Sequence, residues 1–134
     1  MKVHHVGYLV KDMEAAKKEF MALGYSDGEV TRDEYRGIDI AFIHNGGYCV
    51  ELITPYREDS TVSGLMKKLK NSPYHLCYIC ENLDAEVERL TANGYVQMGE
   101  AKEAPAIDGH RVVFLMNGSL GMIELVEGNE GDFA

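Results

Sequence analysis

The chain has 134 residues, of which 46% are hydrophobic and 26% charged, with a net charge of −9 at neutral pH. This suits a soluble globular protein of one domain, or two small halves sharing a core, and excludes the concentrated basic surface that nucleic acid requires. No apolar run approaches the ~20 residues that span a bilayer, and the N-terminus lacks the apolar region and cleavage site of a signal peptide, so a cytoplasmic, non-membrane protein is expected.

In chain order, "VHHVGYLV" reads as a strand. Asp12 is placed to cap a helix in which Met13, Ala16, Phe20 and Leu23 recur at helical spacing, and Gly24 ends it. Two or three short strands follow between about Glu29 and Ile53, with Asn45, Gly46 and Gly47 as a hairpin turn. Residues 60 to 71 carry a stripe of Val62, Leu65, Met66 and Leu69, which predicts a short linker helix. "YHLCYIC" is the next strand; Asn82 caps a second helix with Leu83, Val87 and Leu90 buried, and Asn93 and Gly94 close it. "RVVFLMNGSLGMIELVE" predicts a final hairpin, and the tail "EGNEGDFA" is polar and expected to fray.

The two halves repeat. His5, Tyr8, Ala15, Gly24 and Tyr25 recur as His75, Tyr78, Ala85, Gly94 and Tyr95, 70 residues on. Phe42 and Asn45 recur as Phe114 and Asn117 at an offset of 72, and Glu51 as Glu124 at 73, so loops grow while elements keep their order. The predicted class is α+β: two tandem βαβββ modules, residues 1–56 and 73–128, joined by a helical linker over 57–72 in a single domain spanning 1–134. One such module has too little surface to close a core, whereas two cover one another around a curved mixed sheet with a cleft.

Strand alternation then sorts the side chains. His5, Gly7 and Leu9 share a face, as do Cys49, Glu51 and Ile53, then His75, Cys77 and Ile79, and Met122, Glu124 and Val126. The opposite faces, with Val6, Tyr8, Val50, Leu52, Tyr78, Ile123 and Leu125, are apolar or aromatic and suit packing under the helices. His5, Glu51, His75 and Glu124 are therefore expected on the face away from the helices. A buried carboxylate needs a cation or a proton to relieve it. Two imidazoles and two carboxylates make a shell for one divalent ion, with Zn, Ni, Co and Mn all compatible. Cys77 and Cys80 are three apart on a strand, point to opposite faces, and read as buried thiols rather than a chelating or redox pair. His4, His44 and His110 read as surface, packing or solvated turn residues.

The first His-strand, "VELITP", the second His-strand and "GMIELVE" resemble the vicinal oxygen chelate superfamily, which contains glyoxalase I, methylmalonyl-CoA epimerase, ring-cleaving dioxygenases and fosfomycin or bleomycin resistance proteins. The resemblance covers residues 3 to 127 and implies paired βαβββ modules with metal ligands at His5, Glu51, His75 and Glu124. "ELITPYREDSTVSGLMKKLKNSPYHLCYICENLDAEVERL" resembles the epimerase branch, in which the second ligand is Gln or Glu. That branch implies proton transfer next to a carbonyl, in a small-molecule substrate such as a CoA thioester. Glu124 is the first candidate base, with Glu51 by symmetry or Asp39 by resemblance as the second. Lys67, Lys68 and Lys70 read as the wet side of the linker helix, or as contacts for a CoA phosphate. The alternatives are a lactoylglutathione lyase of the glyoxalase I kind and a non-catalytic small-molecule-binding protein of the resistance type. Superfamily members are commonly dimers, so a homodimer with all four ligands from one chain is expected.

Overall fold

In a computed structural model, which describes residues 1–133, the elements follow the order βαβββ-α-βαβββ. They are β1 (Lys2–Leu9), α1 (Met13–Ala22), β2 (Val30–Asp33), β3 (Ile38–Asn45), β4 (Tyr48–Pro55), α2 (Ser63–Leu69), β5 (Ser72–Cys80), α3 (Leu83–Ala92), β6 (Val96–Glu103), β7 (Arg111–Asn117) and β8 (Gly121–Glu127). The chain divides into two compact units, residues 6–74, and residues 75–134 together with residues 1–5. The hydrogen-bonded strand order is β2-β3-β4-β1-β5-β8-β7-β6. Each half is antiparallel except where its first strand meets its last: β1 runs parallel to β4, and β5 parallel to β8.

The same local chemistry starts and stops both long helices. Asp12 Oδ1 accepts from Ala15 N at 3.1 Å, and Asn82 Oδ1 accepts from Ala85 N at 3.0 Å. Each side chain thereby satisfies an amide that the first helical turn leaves without a partner. Gly24 and Gly94 follow the two helices with φ of +102° and +95°, a conformation that costs a residue with a Cβ. The drift of the repeat from 72 to 73 falls in one loop. In the first half the turn is Gly46-Gly47 between paired Asn45 and Tyr48. In the second it is Gly118-Ser119-Leu120 between paired Asn117 and Gly121, with Asn117 Oδ1 accepting from the amides of Ser119 and Leu120.

Each helix covers the apolar face of its own unit. In residues 6–74, Val10, Ile43, Val50 and Leu52 pack with Tyr8, Met13, Ala16, Phe20 and Tyr25. In the other unit, Cys80, Leu83, Leu90, Val113, Leu115, Ile123 and Leu125 pack with Tyr78, Val87 and Tyr95. Burying a leucine fully contributes about 1.5–3 kcal/mol, so each unit has its own source of stability. Cys80 lies in this core while Cys77, opposite Glu124 in the parallel register, lies on the other face, and both remain thiols.

Two expectations change. The linker helix exists, but its stripe is shallower than predicted: Val62 is buried just before the helix, whereas Leu69 is 42% exposed. Leu69 is the last of seven helical residues, and the chain turns away directly after it at Lys70, with φ of +56°. The tail does not fray before Phe133. It forms a 3₁₀ turn over Glu130–Phe133 in which Asn129 N donates to Asp132 Oδ2, and the Phe133 ring packs on His4 and His110. Among the described residues no helix is long and apolar enough to cross a membrane.

Candidate metal centre

The parallel strand pairs place each candidate glutamate by the same rule. Glu51 lies opposite Gly7 on one side and Phe42 on the other. Glu124 lies opposite Cys77 and Phe114. Gly7 and Cys77 each stand two residues after a histidine, so alternation returns both positions to the histidine face. His5, Glu51, His75 and Glu124 are all buried, none more than 4% exposed.

The geometry is fully defined in the unit that contains His5, His75 and Glu124. Glu124 Oε1 lies 3.1 Å from His5 Nε2 and 3.2 Å from His75 Nε2, and the two Nε2 atoms are 3.2 Å apart. Three donor atoms thus form a nearly equilateral triangle. Around an ion with bonds of about 2.0–2.2 Å, ligand–ligand edges are about 2.8–3.1 Å at right angles and about 3.3–3.6 Å in a tetrahedron. The observed edges fall between these limits, and two imidazole nitrogens plus a carboxylate oxygen are the donors that Zn, Ni, Co or Mn accepts. The donor set therefore fits a divalent ion. The Phe114 ring meets the His75 ring edge-on at 5.1 Å and closes that side of the triangle with apolar surface.

Burial opposes ionisation of Glu124, but hydrogen bonds and charge interaction with His5 and His75 prevail and hold its carboxyl below the usual carboxylate range. On β4, burial, reinforced by the charge of Glu51, pushes the Cys49 thiol up to about 12. Burial likewise raises Cys80 to about 11. None of this favours a thiolate nucleophile at neutral pH.

The remaining sequence candidates fall elsewhere. Asp39 pairs with Arg32 through two hydrogen bonds, Nε to Oδ1 at 2.9 Å and Nη2 to Oδ2 at 3.1 Å, and the Arg32 guanidinium lies over the Tyr56 ring. Its register partner on β4 is Thr54, which puts Asp39 on the face of Leu52 and Ile43, opposite that of Glu51. Lys67, Lys68 and Lys70 are exposed, and so is His44. His110 differs from expectation: its Nδ1 lies 2.7 Å from the Glu127 carbonyl, and its ring meets Phe133.

His4 also departs from the sequence reading. Alternation points its Cβ away from His5, yet the two Nδ1 atoms are 2.7 Å apart. His4, His5 and Cys77 bring ligand atoms within 4.8 Å of one another. However, 2.7 Å is shorter than the edge between two ligands of one ion, and is the length of a hydrogen bond. Sequence reasoning missed His4 because it follows Cβ directions and not the swing of a ring about its side-chain torsions.

A family model for the Glyoxalase/Bleomycin resistance protein/Dioxygenase superfamily matches residues 4–114. The ethylmalonyl-CoA/methylmalonyl-CoA epimerase of Cereibacter sphaeroides is 29% identical over 131 residues, covering 93% of this chain and 98% of that protein. The mitochondrial methylmalonyl-CoA epimerase of Bos taurus is 29% identical over 128 residues, covering 94% of this chain and 72% of that protein. Among solved structures, methylmalonyl-CoA epimerase from Mycobacterium tuberculosis superposes with a TM-score of 0.83 at 25% identity, over 96% of this chain and 89% of that one.

Proposed function

Because the chain belongs to the Glyoxalase/Bleomycin resistance protein/Dioxygenase superfamily, we propose that it is a metal-dependent epimerase of the methylmalonyl-CoA type. It would invert a carbon next to a thioester carbonyl by proton transfer. The observation that carries this reading is the buried triangle of His5 Nε2, His75 Nε2 and Glu124 Oε1. Curated homologues that are methylmalonyl-CoA epimerases support the choice of substrate class.

His5, His75 and Glu124 would hold the ion, with Glu51 as the fourth ligand. Glu51 is supported by its burial, by its donor type, and by a strand register that repeats that of Glu124. When bound there, a divalent ion supplies Lewis-acid stabilisation of the negative charge that develops on a carbonyl oxygen as the neighbouring carbon loses its proton. Inversion needs a group on each side of that carbon, one to take a proton and one to return it. Glu124 is the first of these, since its carboxyl is held ionised and keeps a second oxygen beyond the one facing the histidines. Glu51 is the other. Asp39 is the weaker choice, because Arg32 occupies both of its oxygens. The apolar Phe114 edge beside His75 would limit water at the reacting carbon.

The test is deuterium incorporation at C2 of racemic methylmalonyl-CoA in heavy water by the metal-loaded protein. Exchange that disappears on chelation and returns with added ion is the expected result. A lactoylglutathione lyase would use the same donors and bases, so the hemithioacetal of methylglyoxal and glutathione serves as the second arm. Turnover of that compound without exchange at C2 would overturn the epimerase reading. The protein is further proposed to be a cytoplasmic homodimer with each shell built from one chain. Restored activity on mixing a His5→Ala chain with a Glu124→Ala chain would refute the single-chain shell.

A further inference from the structure

We propose that His4 is a positioning residue for the metal centre: its Nδ1 accepts the Nδ1–H of His5, which fixes the His5 tautomer and turns the Nε2 lone pair toward Glu124 and His75. This rests on the metal reading above, but it concerns a residue that reading does not use.

Three observations within one unit carry it. First, the His4 Nδ1 to His5 Nδ1 distance is 2.7 Å, and two ring nitrogens approach so closely only when one donates to the other. Second, His5 Nε2 already faces Glu124 Oε1 at 3.1 Å and His75 Nε2 at 3.2 Å. For that nitrogen to serve as a ligand its proton must sit on Nδ1, and Nδ1 meets His4. A ligating histidine ordinarily donates its other N–H to a fixed acceptor, and here a second histidine, adjacent in sequence, takes the place usually held by a carboxylate or carbonyl.

Third, His4 is itself held. Its ring meets the His5 ring edge-on at 4.9 Å and the Phe133 ring edge-on at 4.8 Å. Phe133 also meets His110, whose Nδ1 is 2.7 Å from the Glu127 carbonyl. Gly128 makes room for this aromatic: a Cβ there would lie 2.8 Å from Phe133 Cζ. The C-terminal 3₁₀ turn is therefore a brace for His4, and Lys2 near the start of β1 pairs with Glu130 of that turn at 3.5 Å. A histidine on a strand surface would rotate freely about its side-chain torsions; one clamped between a neighbouring imidazole and a phenyl edge keeps its acceptor nitrogen in place.

The experiment uses the full chain with ¹⁵N-labelled histidine, zinc-free and zinc-loaded, as wild type, His4→Asn and His4→Phe. Asparagine can place a carbonyl oxygen near the original Nδ1, whereas phenylalanine keeps the ring and removes the acceptor. Zinc affinity is read by competition with a chromophoric chelator, and folding by circular dichroism. In the wild type, His5 Nδ1 is expected to carry a slowly exchanging proton in both states. His4→Phe is expected to lose that protection and to bind zinc about 10- to 100-fold more weakly. His4→Asn should recover most of both. Zinc affinity unchanged in His4→Phe, or an unprotonated His5 Nδ1 in zinc-loaded wild type, would overturn the role of His4 alone. Failure of the wild type to bind zinc, cobalt, nickel or manganese would instead reject the metal centre on which the proposal stands.

Discussion

Residues 6–74 and residues 75–133 are built on one plan, yet the same backbone positions hold different chemistry. Opposite Glu51 stands Gly7; opposite Glu124 stands Cys77. At the end of β4, Thr54 Oγ1 donates to the Val10 carbonyl at 3.0 Å. At the equivalent point of β8, Glu127 accepts from Leu83 N at the start of α3 and from Arg111. The first edge strand, β2, has four residues, while its counterpart β6 has eight and shifts register between Met98 and Lys102. Repetition thus fixes where a side chain goes, and leaves open what it does there.

The largest test of that difference is at the glutamates. Were the halves chemically interchangeable, Glu51→Gln and Glu124→Gln would weaken zinc binding equally. Glu124 Oε1 contacts both Nε2 atoms, and breaking a buried charge pair costs about 3–5 kcal/mol, whereas the epimerase branch that the sequence resembles takes either Gln or Glu at the position of Glu51. Glu124→Gln is therefore expected to lose about 100-fold or more in affinity, and Glu51→Gln about tenfold. Equal losses by chelator competition would erase the distinction.

Next come the cores. Leu52 and Leu125 are equivalent in the repeat and fully buried. Each leucine-to-alanine change is expected to cost about 2–5 kcal/mol in urea unfolding. A cost below about 1 kcal/mol for only one of them would mean that its unit packs loosely, and the comparison would have to be redrawn.

The smallest effect is in acid. Arg111 beside Glu127, helped by the Leu83 amide, holds the Glu127 carboxyl below its ordinary range. A depressed folded value contributes stability that is complete above the unfolded carboxyl value of about 4.3 and fades as pH falls through the folded one. The side chain is partly exposed, so the gain is under about 1 kcal/mol. Hydrogen exchange at the Leu83 amide, corrected for intrinsic rate, should accelerate as pH drops below about 4.3, and Glu127→Gln should abolish that dependence. An unchanged profile in Glu127→Gln would show that the carboxylate does not anchor α3.

Much of this was legible in the residues. His5, His75 and Glu124 could be grouped because strand parity alone puts them on one face, and the repeat supplied the pairing of strands. The caps Asp12 and Asn82 announce themselves by side-chain chemistry and the apolar spacing that follows. Asp39 was less legible. The resemblance offers it as a base, but its bond to Arg32 depends on the cross-strand register set by the turn between β2 and β3. Phe133 was hidden in a polar tail, because a single aromatic shows no period and its seat at Gly128 is a matter of fit. His4 was hidden for a related reason, since it reaches His5 by side-chain rotation.

The division of β1 between the units has a further implication. His5 belongs with residues 75–134, whereas Val6, its neighbour, opens the other unit. One copy of the repeat contains one strand histidine of this kind, and the triangle needs two. A half-length protein could not have assembled this constellation unaided; it would have had to borrow a strand from a second molecule. For protein engineering, this means that a cut between the repeats removes an imidazole along with a linker.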